Sequence, residues 1–255
     1  MDLRLPTRFG AGYKSASQRA RRISEPWGAE NLYCCACICD RLETQKANTQ
    51  VSDFLCPKCV ERYQLKSQNH ELGGKVLGAN YQKMLDAILG NRTPNFFLLH
   101  YQTPEWIVRN LLVIPRFAIS PSVIIKRKAL SATARRSNWT GYLLDIGLVP
   151  ASAKIPLVIN GSVVDRSEVR EQYVRISRIQ NLKPESRGWT LDVLRCVELL
   201  PGETFTNDEA YGFVPDLAGL YPGNHHIKDK IRQQLQVLRD RGLLKPIGRG
   251  VWRRL

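Results

Sequence analysis

Hydrophobic and polar residues alternate along this chain in two different periods. Leu77, Tyr81, Met84, Leu85 and Ile88 recur at helical spacing and Gly90 follows as a stop signal, which predicts a helix over Leu77–Leu89. Residues 13–27 are polar and basic, with Glu25 and Trp27 near their end, and also predict a helix. Val51–Leu55 and Arg62–Ser67 read as two short strands joined through a cysteine-containing turn. Asn95–Tyr101 and Trp106–Ile114 are apolar, aromatic and β-branched and predict strands. Ile155–Asn160 predicts a further strand, with its turn at Gly161. Pro115–Arg136 reads as a long basic loop with Lys126-Arg127-Lys128 and Arg135-Arg136 in it. Helix, strands, helix, strands is a mixed α/β layout.

A domain boundary is predicted near Lys183-Pro184-Glu185-Ser186-Arg187-Gly188, which separates 1–183 from 184–255. Thr190–Leu200 carries Leu191, Leu194 and Val197 on one helical side, and a second helix is expected within Asn207–Leu220. Asn224 is placed to cap a long helix over Ile227–Arg241, buried through Ile231, Leu235 and Leu238 and ended by Gly242. Leu243–Ile247 and Val251–Leu255 flank Gly248-Arg249-Gly250 as a hairpin. Three helices and a terminal hairpin make an α+β winged helix.

Composition is ordinary for a globular chain of 255 residues, but the net charge of +15 is not. It points to nucleic acid or another polyanion as partner. Residues 1–183 hold 27 Lys and Arg against 14 Asp and Glu, whereas 184–255 hold 11 against 9. The N-terminal part is therefore expected to make most of the phosphate contacts. The first residues lack the apolar core of a signal peptide, and no run reaches the ~18 apolar residues of a membrane span. The expectation is a cytoplasmic protein, monomeric in solution, with no membrane partner.

Six of the seven cysteines lie between Cys34 and Cys59, which fits a metal site in a reducing compartment better than disulfides. Cys34, Cys37, Cys56 and Cys59 form two C-x-x-C pairs with eighteen residues between them, the spacing of a tetrahedral structural Zn2+ site. Cys35 and Cys39 compete for the same role. Cys196 lies on a predicted helix and reads as core.

Asp53 precedes the second pair, and Gln64-Leu65-Lys66 follows it. An acid, a second oxygen ligand and a lysine can hold Mg2+ against a phosphodiester and orient the attacking water. On a strand Gln64 and Lys66 share a face, while Leu65 points the other way and offers its backbone carbonyl to the metal.

Further stretches run in the same order as those of a known family. They are Tyr13-Lys14-Ser15 with Ser17-Gln18, the cysteine pairs around Asp53, Gln64-Leu65-Lys66-Ser67 and Pro94-Asn95-Phe96-Phe97. After these come Thr133-Ala134-Arg135-Arg136 with Trp139, Ser186-Arg187-Gly188-Trp189-Thr190, and His226-Ile227-Lys228 through Arg232-Gln233-Gln234-Leu235. With them the chain resembles the DpnI family of methyl-directed type II restriction endonucleases. The resemblance implies a PD-(D/E)xK nuclease domain with a zinc knuckle, followed by a winged helix. It also implies a double-stranded DNA substrate, GATC with N6-methyladenine.

The departure is Gln64, where the family motif has a carboxylate. Glutamine offers a carbonyl oxygen but no charge, so Mg2+ affinity and rate should fall. Glu61 and Glu25 are candidate substitutes, although Glu61 faces the wrong side of a regular strand. The N6-methyl group adds an apolar knob in the major groove, and Trp139 is the expected methyl sensor. Arg135 and Arg136 are expected phosphate or base contacts. In the winged helix Asn224, His225, Lys228, Lys230, Arg232 and Gln233 are expected at the groove and Arg249 at the wing tip. The rival expectation is a catalytically weak or inactive methyl-adenine DNA-binding protein. A zinc-ribbon and winged-helix transcription factor would leave Asp53 and Lys66 unexplained.

Overall fold

The computed structural model describes residues 1–45, 52–131, 133, 137 and 139–255. Arg135, Arg136 and Val51 lie outside the described residues. In chain order the first elements are α1 (Ala16–Asn31), β1 (Glu43–Thr44), β2 (Phe54–Leu55), β3 (Arg62–Gln68), β4 (Lys75–Gly78) and α2 (Tyr81–Leu89). Next come β5 (Asn95–Gln102), β6 (Ile107–Ile114), β7 (Ile124–Lys126), β8 (Tyr142–Asp145), β9 (Ile155–Ile159), β10 (Ser162–Val163) and α3 (Arg166–Ser177). The C-terminal elements are α4 (Pro184–Glu198), β11 (Thr204–Thr206), α5 (Asn207–Tyr211), α6 (Val214–Leu220), α7 (Ile227–Asp240), β12 (Leu244–Gly248) and β13 (Val251–Arg254). Contacts group the described residues into two units. One comprises Met1–Val76, Arg92–Arg116 and Ala153–Val174, and the other Leu77–Asn91, Phe117–Ser152 and Arg175–Leu255.

The first unit is built on a seven-stranded sheet of order β1-β2-β3-β5-β6-β9-β10. Strands β3 and β5 run parallel, with Gln64 opposite Phe96 and Lys66 opposite Leu98, and β5 and β6 run antiparallel. β5 is buried along almost its whole length, as expected for a central strand, and Phe96, Phe97, Leu98 and Leu99 are fully enclosed. Helix α1 runs along β3. A Cβ on Gly28 would come within 2.8 Å of the Phe54 ring and 3.3 Å of Leu65, so only glycine permits this approach. One turn earlier, the Ser24 and Ser67 hydroxyls are bonded at 3.0 Å.

The second unit holds β7, β8, α2 and the Leu77–Gly78 end of β4, of the three-stranded sheet β4-β8-β7, and a helical part closed by the sheet β11-β13-β12. Helices α4 to α7 with this terminal sheet form the winged helix. α7 is apolar on one side only, burying Ile227, Ile231, Gln234, Leu235 and Leu238. Gln234 is satisfied there by the Thr190 hydroxyl at 2.7 Å, which ties α7 to α4. The chain turns between β12 and β13 through Gly250 at φ +72°, a conformation that favours glycine. α5 opens with a capping box of Thr206 and Glu209.

Several expectations are corrected. Leu77 lies on β4, 61% exposed, and the helix starts only at Tyr81, where the Asn80 side chain caps the Lys83 amide. Strand geometry prevails because the Tyr142 ring lies flat against Gly78, leaving no room for a Cβ. Pro115–Arg136 is not one loop, since it contains short 3-10 turns and β7. Asn224 does not cap α7. Its side chain accepts from the His226 amide at 2.8 Å, and His226, itself exposed, occupies the cap position without a side-chain bond. Strand β8, helix α3 and strand β11 are additional elements. Among the described residues no helix is long and apolar enough to cross a membrane.

Candidate active site and metal centre

The second cysteine pair forms the turn between β2 and β3, so the same short segment builds both the knuckle and the site beside it. Asp53 is threaded between two strands. Its amide donates to the Tyr63 carbonyl at 2.9 Å, and its own carbonyl accepts from Gln45 at 2.9 Å. Its Oδ2 accepts from the Leu65 amide at 2.8 Å. That bond holds the carboxylate at the residue lying between Gln64 and Lys66.

Side chains on β3 alternate. Tyr63, Leu65 and Ser67 meet α1 and the knuckle, through the Cys34 and Cys35 contacts of Tyr63, the Gly28 approach and the Ser24 hydroxyl. Gln64 and Lys66 alternate with them along the strand, half-buried, and Lys66 still senses the charge of Arg21 on α1. Burial raises the Asp53 carboxyl above its ordinary range, opposed by the Leu65 amide. Glu25 on α1 adds to the rise, and Lys66 and Arg21 work against it. Burial lowers the Lys66 ammonium, while the Asp53 charge supports it. Asp53, Lys66, Arg21 and Glu25 thus form one electrostatic cluster.

Glu25 is bonded to Arg21 at 2.5 Å, one turn away on α1. Glu61 is committed elsewhere. It accepts from Asn95 at 2.9 Å and from Arg116 Nε at 3.1 Å, which ties the start of β3 to the ends of β5 and β6. Of the two substitutes weighed for the missing carboxylate, Glu25 acts electrostatically on Asp53.

The sulfurs of Cys34, Cys37, Cys56 and Cys59 all lie within 4.8 Å of one another. Cys34 and Cys59 are 3.5 Å apart, and Cys37 and Cys56 are 3.6 Å apart. A tetrahedral zinc with Zn–S near ~2.3 Å needs sulfurs about 3.8 Å apart, so the four thiols fit one ion and leave no open position. Cys35 and Cys39 direct their sulfurs to the backbone carbonyls of Tyr33 and Arg41 instead. Burial pushes the Cys34 thiol up to about 12, so ionising it calls for a cation in the cluster. Arg170, on the unforeseen α3, bonds the carbonyls of Cys34 and Cys39 at 3.3 Å each and stiffens the first knuckle.

Residues 1–182 match the family described as DpnI: Dam-replacing family, and residues 185–254 match its Dam-replacing HTH domain. The chain belongs to the DpnI family. Membership places it among methyl-dependent restriction enzymes, with a C-terminal DNA-binding domain of helix-turn-helix type.

In that domain of the DpnI-family chain, His225, Lys228, Arg232 and Gln233 are exposed around the start of α7, and Asn224 and Lys230 are half-buried. Lys228 lies 4.6 Å over the Tyr211 ring. Lys230 lies 5.7 Å over Trp189, which stacks on Tyr221 at 3.6 Å. Arg249 is exposed at the wing tip. Trp139 is half-buried, its carbonyl accepting from Leu130 at 3.0 Å, with its ring beside Gly141. Sequence reasoning passed over Tyr63, Arg21 and Arg170. For Tyr63 a signal existed, since it sits on the strand directly after the second knuckle.

Proposed function

We propose that this chain is a type II site-specific deoxyribonuclease that cuts double-stranded GATC containing N6-methyladenine. The nuclease domain is 1–183 and the winged helix 184–255. The observation that carries the reading is the Leu65 amide bond to Asp53, which holds an acid beside the one strand face that bears Gln64 and Lys66. Asp53, the Gln64 amide oxygen and the Leu65 carbonyl would hold Mg2+, with Glu25 bringing the second negative charge that Gln64 lacks. The ion supplies charge neutralisation at the scissile phosphate. Lys66 orients the attacking water; as its oxygen joins phosphorus and the bond to the leaving sugar oxygen breaks, the water's proton passes to solvent and the leaving oxygen takes one from solvent. Asp53 aligns the group that Lys66 serves. Trp139 offers an apolar wall to the N6-methyl group, and Arg135 and Arg136 take phosphates or base edges. Asn224, His225, Lys228, Lys230, Arg232, Gln233 and Arg249 supply the winged-helix contacts, with zinc at Cys34, Cys37, Cys56 and Cys59 as the structural ion.

The test uses matched plasmids with and without adenine methylation at GATC, each with magnesium and then manganese. Discrete fragments from the methylated plasmid alone support the nuclease. A second reading, a methyl-adenine reader without cleavage, is favoured by Gln64. It predicts methyl-dependent retardation of DNA and no fragments with either metal.

A further inference from the structure

Tyr63 is fully buried, one residue before Gln64, with its ring stacked on Phe97 at a centroid distance of 5.0 Å. Its hydroxyl lies 3.1 Å from Cys34 Sγ and accepts from the Cys35 amide at 3.1 Å. A zinc-bound thiolate has no proton to give, so with the metal in place the Tyr63 O–H donates to Cys34 Sγ. The Cys35 amide fills the oxygen's acceptor side, which fixes the hydroxyl's direction. The same residue's carbonyl accepts from the Asp53 amide, and the next amide but one, that of Leu65, donates to the Asp53 carboxylate.

We propose that Tyr63 is an outer-shell donor to the zinc thiolate of Cys34, and that it ties the zinc knuckle to the strand that positions Asp53. Its side chain is anchored to the metal cluster and its backbone to the acid, so the metal acts on the catalytic strand through one residue. Hydrogen bonds to a ligating sulfur draw charge from it and set its orientation, and loss of such a partner typically costs about 10- to 100-fold in metal affinity or activity. Tyr63 is thus a positioning residue, and it touches neither the substrate nor the candidate catalytic metal. The second half of the proposal rests on the assignment of Asp53 to the Mg2+ site.

The test compares the full-length chain with Tyr63→Phe, which keeps the ring and its stacking and removes the hydroxyl, both as donor to Cys34 and as acceptor of the Cys35 amide. In cobalt-substituted protein, the sulfur-to-metal charge-transfer band should shift in Tyr63→Phe. Zinc should pass to a chromogenic chelator about tenfold faster. Ser24→Ala, which cuts the hydroxyl bond between α1 and β3, should leave the band and the release rate unchanged. If Tyr63→Phe does not fold, 3-fluorotyrosine at position 63 gives a stronger donor and should slow release. An unshifted band with zinc release within twofold of the parent overturns the outer-shell role, as does a failure of 3-fluorotyrosine to slow release. Manganese affinity, measured without DNA, tests the coupling. Affinity lowered in Tyr63→Phe and abolished in Asp53→Asn supports it. Affinity unchanged in Tyr63→Phe but abolished in Asp53→Asn overturns the coupling alone. Affinity unchanged in Asp53→Asn overturns the Mg2+ assignment and the coupling with it, leaving the zinc arm to stand on its own result.

Discussion

The Leu65 amide donates to Asp53 Oδ2 at 2.8 Å across a separation of twelve residues. The bond closes the β2-knuckle-β3 turn from its open side. It commits one carboxylate oxygen to the backbone. An acid held by main chain is pre-organised, which is what metal-assisted hydrolysis requires of its first ligand.

Lys66 is the most direct test of the proposed chemistry. Lys66→Ala should lower the single-turnover cleavage rate by about 1,000-fold, within the range usual for a positioned proton-handling group. Binding of methylated duplex should stay within about threefold, because the loss is confined to the reacting centre. Cleavage at the parent rate would remove Lys66 from the mechanism.

Gln64 invites the reverse experiment. Gln64→Glu places a carboxylate opposite Phe96 on the face that carries Lys66, with no change in backbone register. The added charge should lower the magnesium concentration for half-maximal cutting about tenfold and raise the rate. Glu25→Gln should do the opposite in the natural chain, and less so in a Gln64→Glu background, because the two would supply the same charge. Additive effects in the double variant would separate Glu25 from the metal.

The sequence made the cysteine cluster and the acid-strand-lysine unit legible because both are local. Their members lie within thirty-three residues, so spacing and strand alternation suffice to bring them together. The winged helix was legible for the same reason, from one amphipathic helix and a Gly-Arg-Gly turn. Less was legible where partners are distant. The release of Leu77 from the predicted helix depends on the Tyr142 ring over Gly78. The capture of Glu61 depends on Arg116, fifty-five residues on. Helix α3 has a weakly patterned, highly charged sequence whose Arg170 and Tyr173 find their roles only against the knuckle and Asn95.

The pH dependence follows from Asp53. Burial holds its folded-state carboxyl above the ordinary range, so the proton competes with metal at a higher pH than at an exposed acid. Manganese affinity should fall about tenfold per pH unit below that raised value, and titration calorimetry between pH 4 and 8 reads it. The sign for stability is opposite to that of a salt-bridged acid. A raised folded-state value adds stability below the unfolded-state pKa and loses it as pH rises through the folded one. At pH 7 the ionised Asp53 is thus a cost in metal-free protein. Asp53→Asn should raise its Tm by a few degrees and abolish manganese binding. A lowered Tm would mean that the Leu65 bond outweighs the burial.

DNA contacts divide into those that add affinity and those that discriminate, and two variants separate them. Arg249 is exposed at the wing tip, and its proposed role is a contact to backbone phosphate. Arg249→Ala should weaken methylated and unmethylated duplexes equally and reduce the slope of log affinity against log salt by about 1. Trp139 is uncharged and releases no counterion, so Trp139→Ala should leave that slope alone. If its ring packs on the N6-methyl group, the ratio of affinities for methylated over unmethylated duplex should fall by about 5- to 10-fold, the worth of one methyl group in an apolar contact. Fluorescence anisotropy on paired duplexes from 50 to 300 mM salt gives both quantities for each variant. A changed slope with an unchanged ratio for Trp139→Ala would make it a scaffold for the basic loop instead of a methyl sensor.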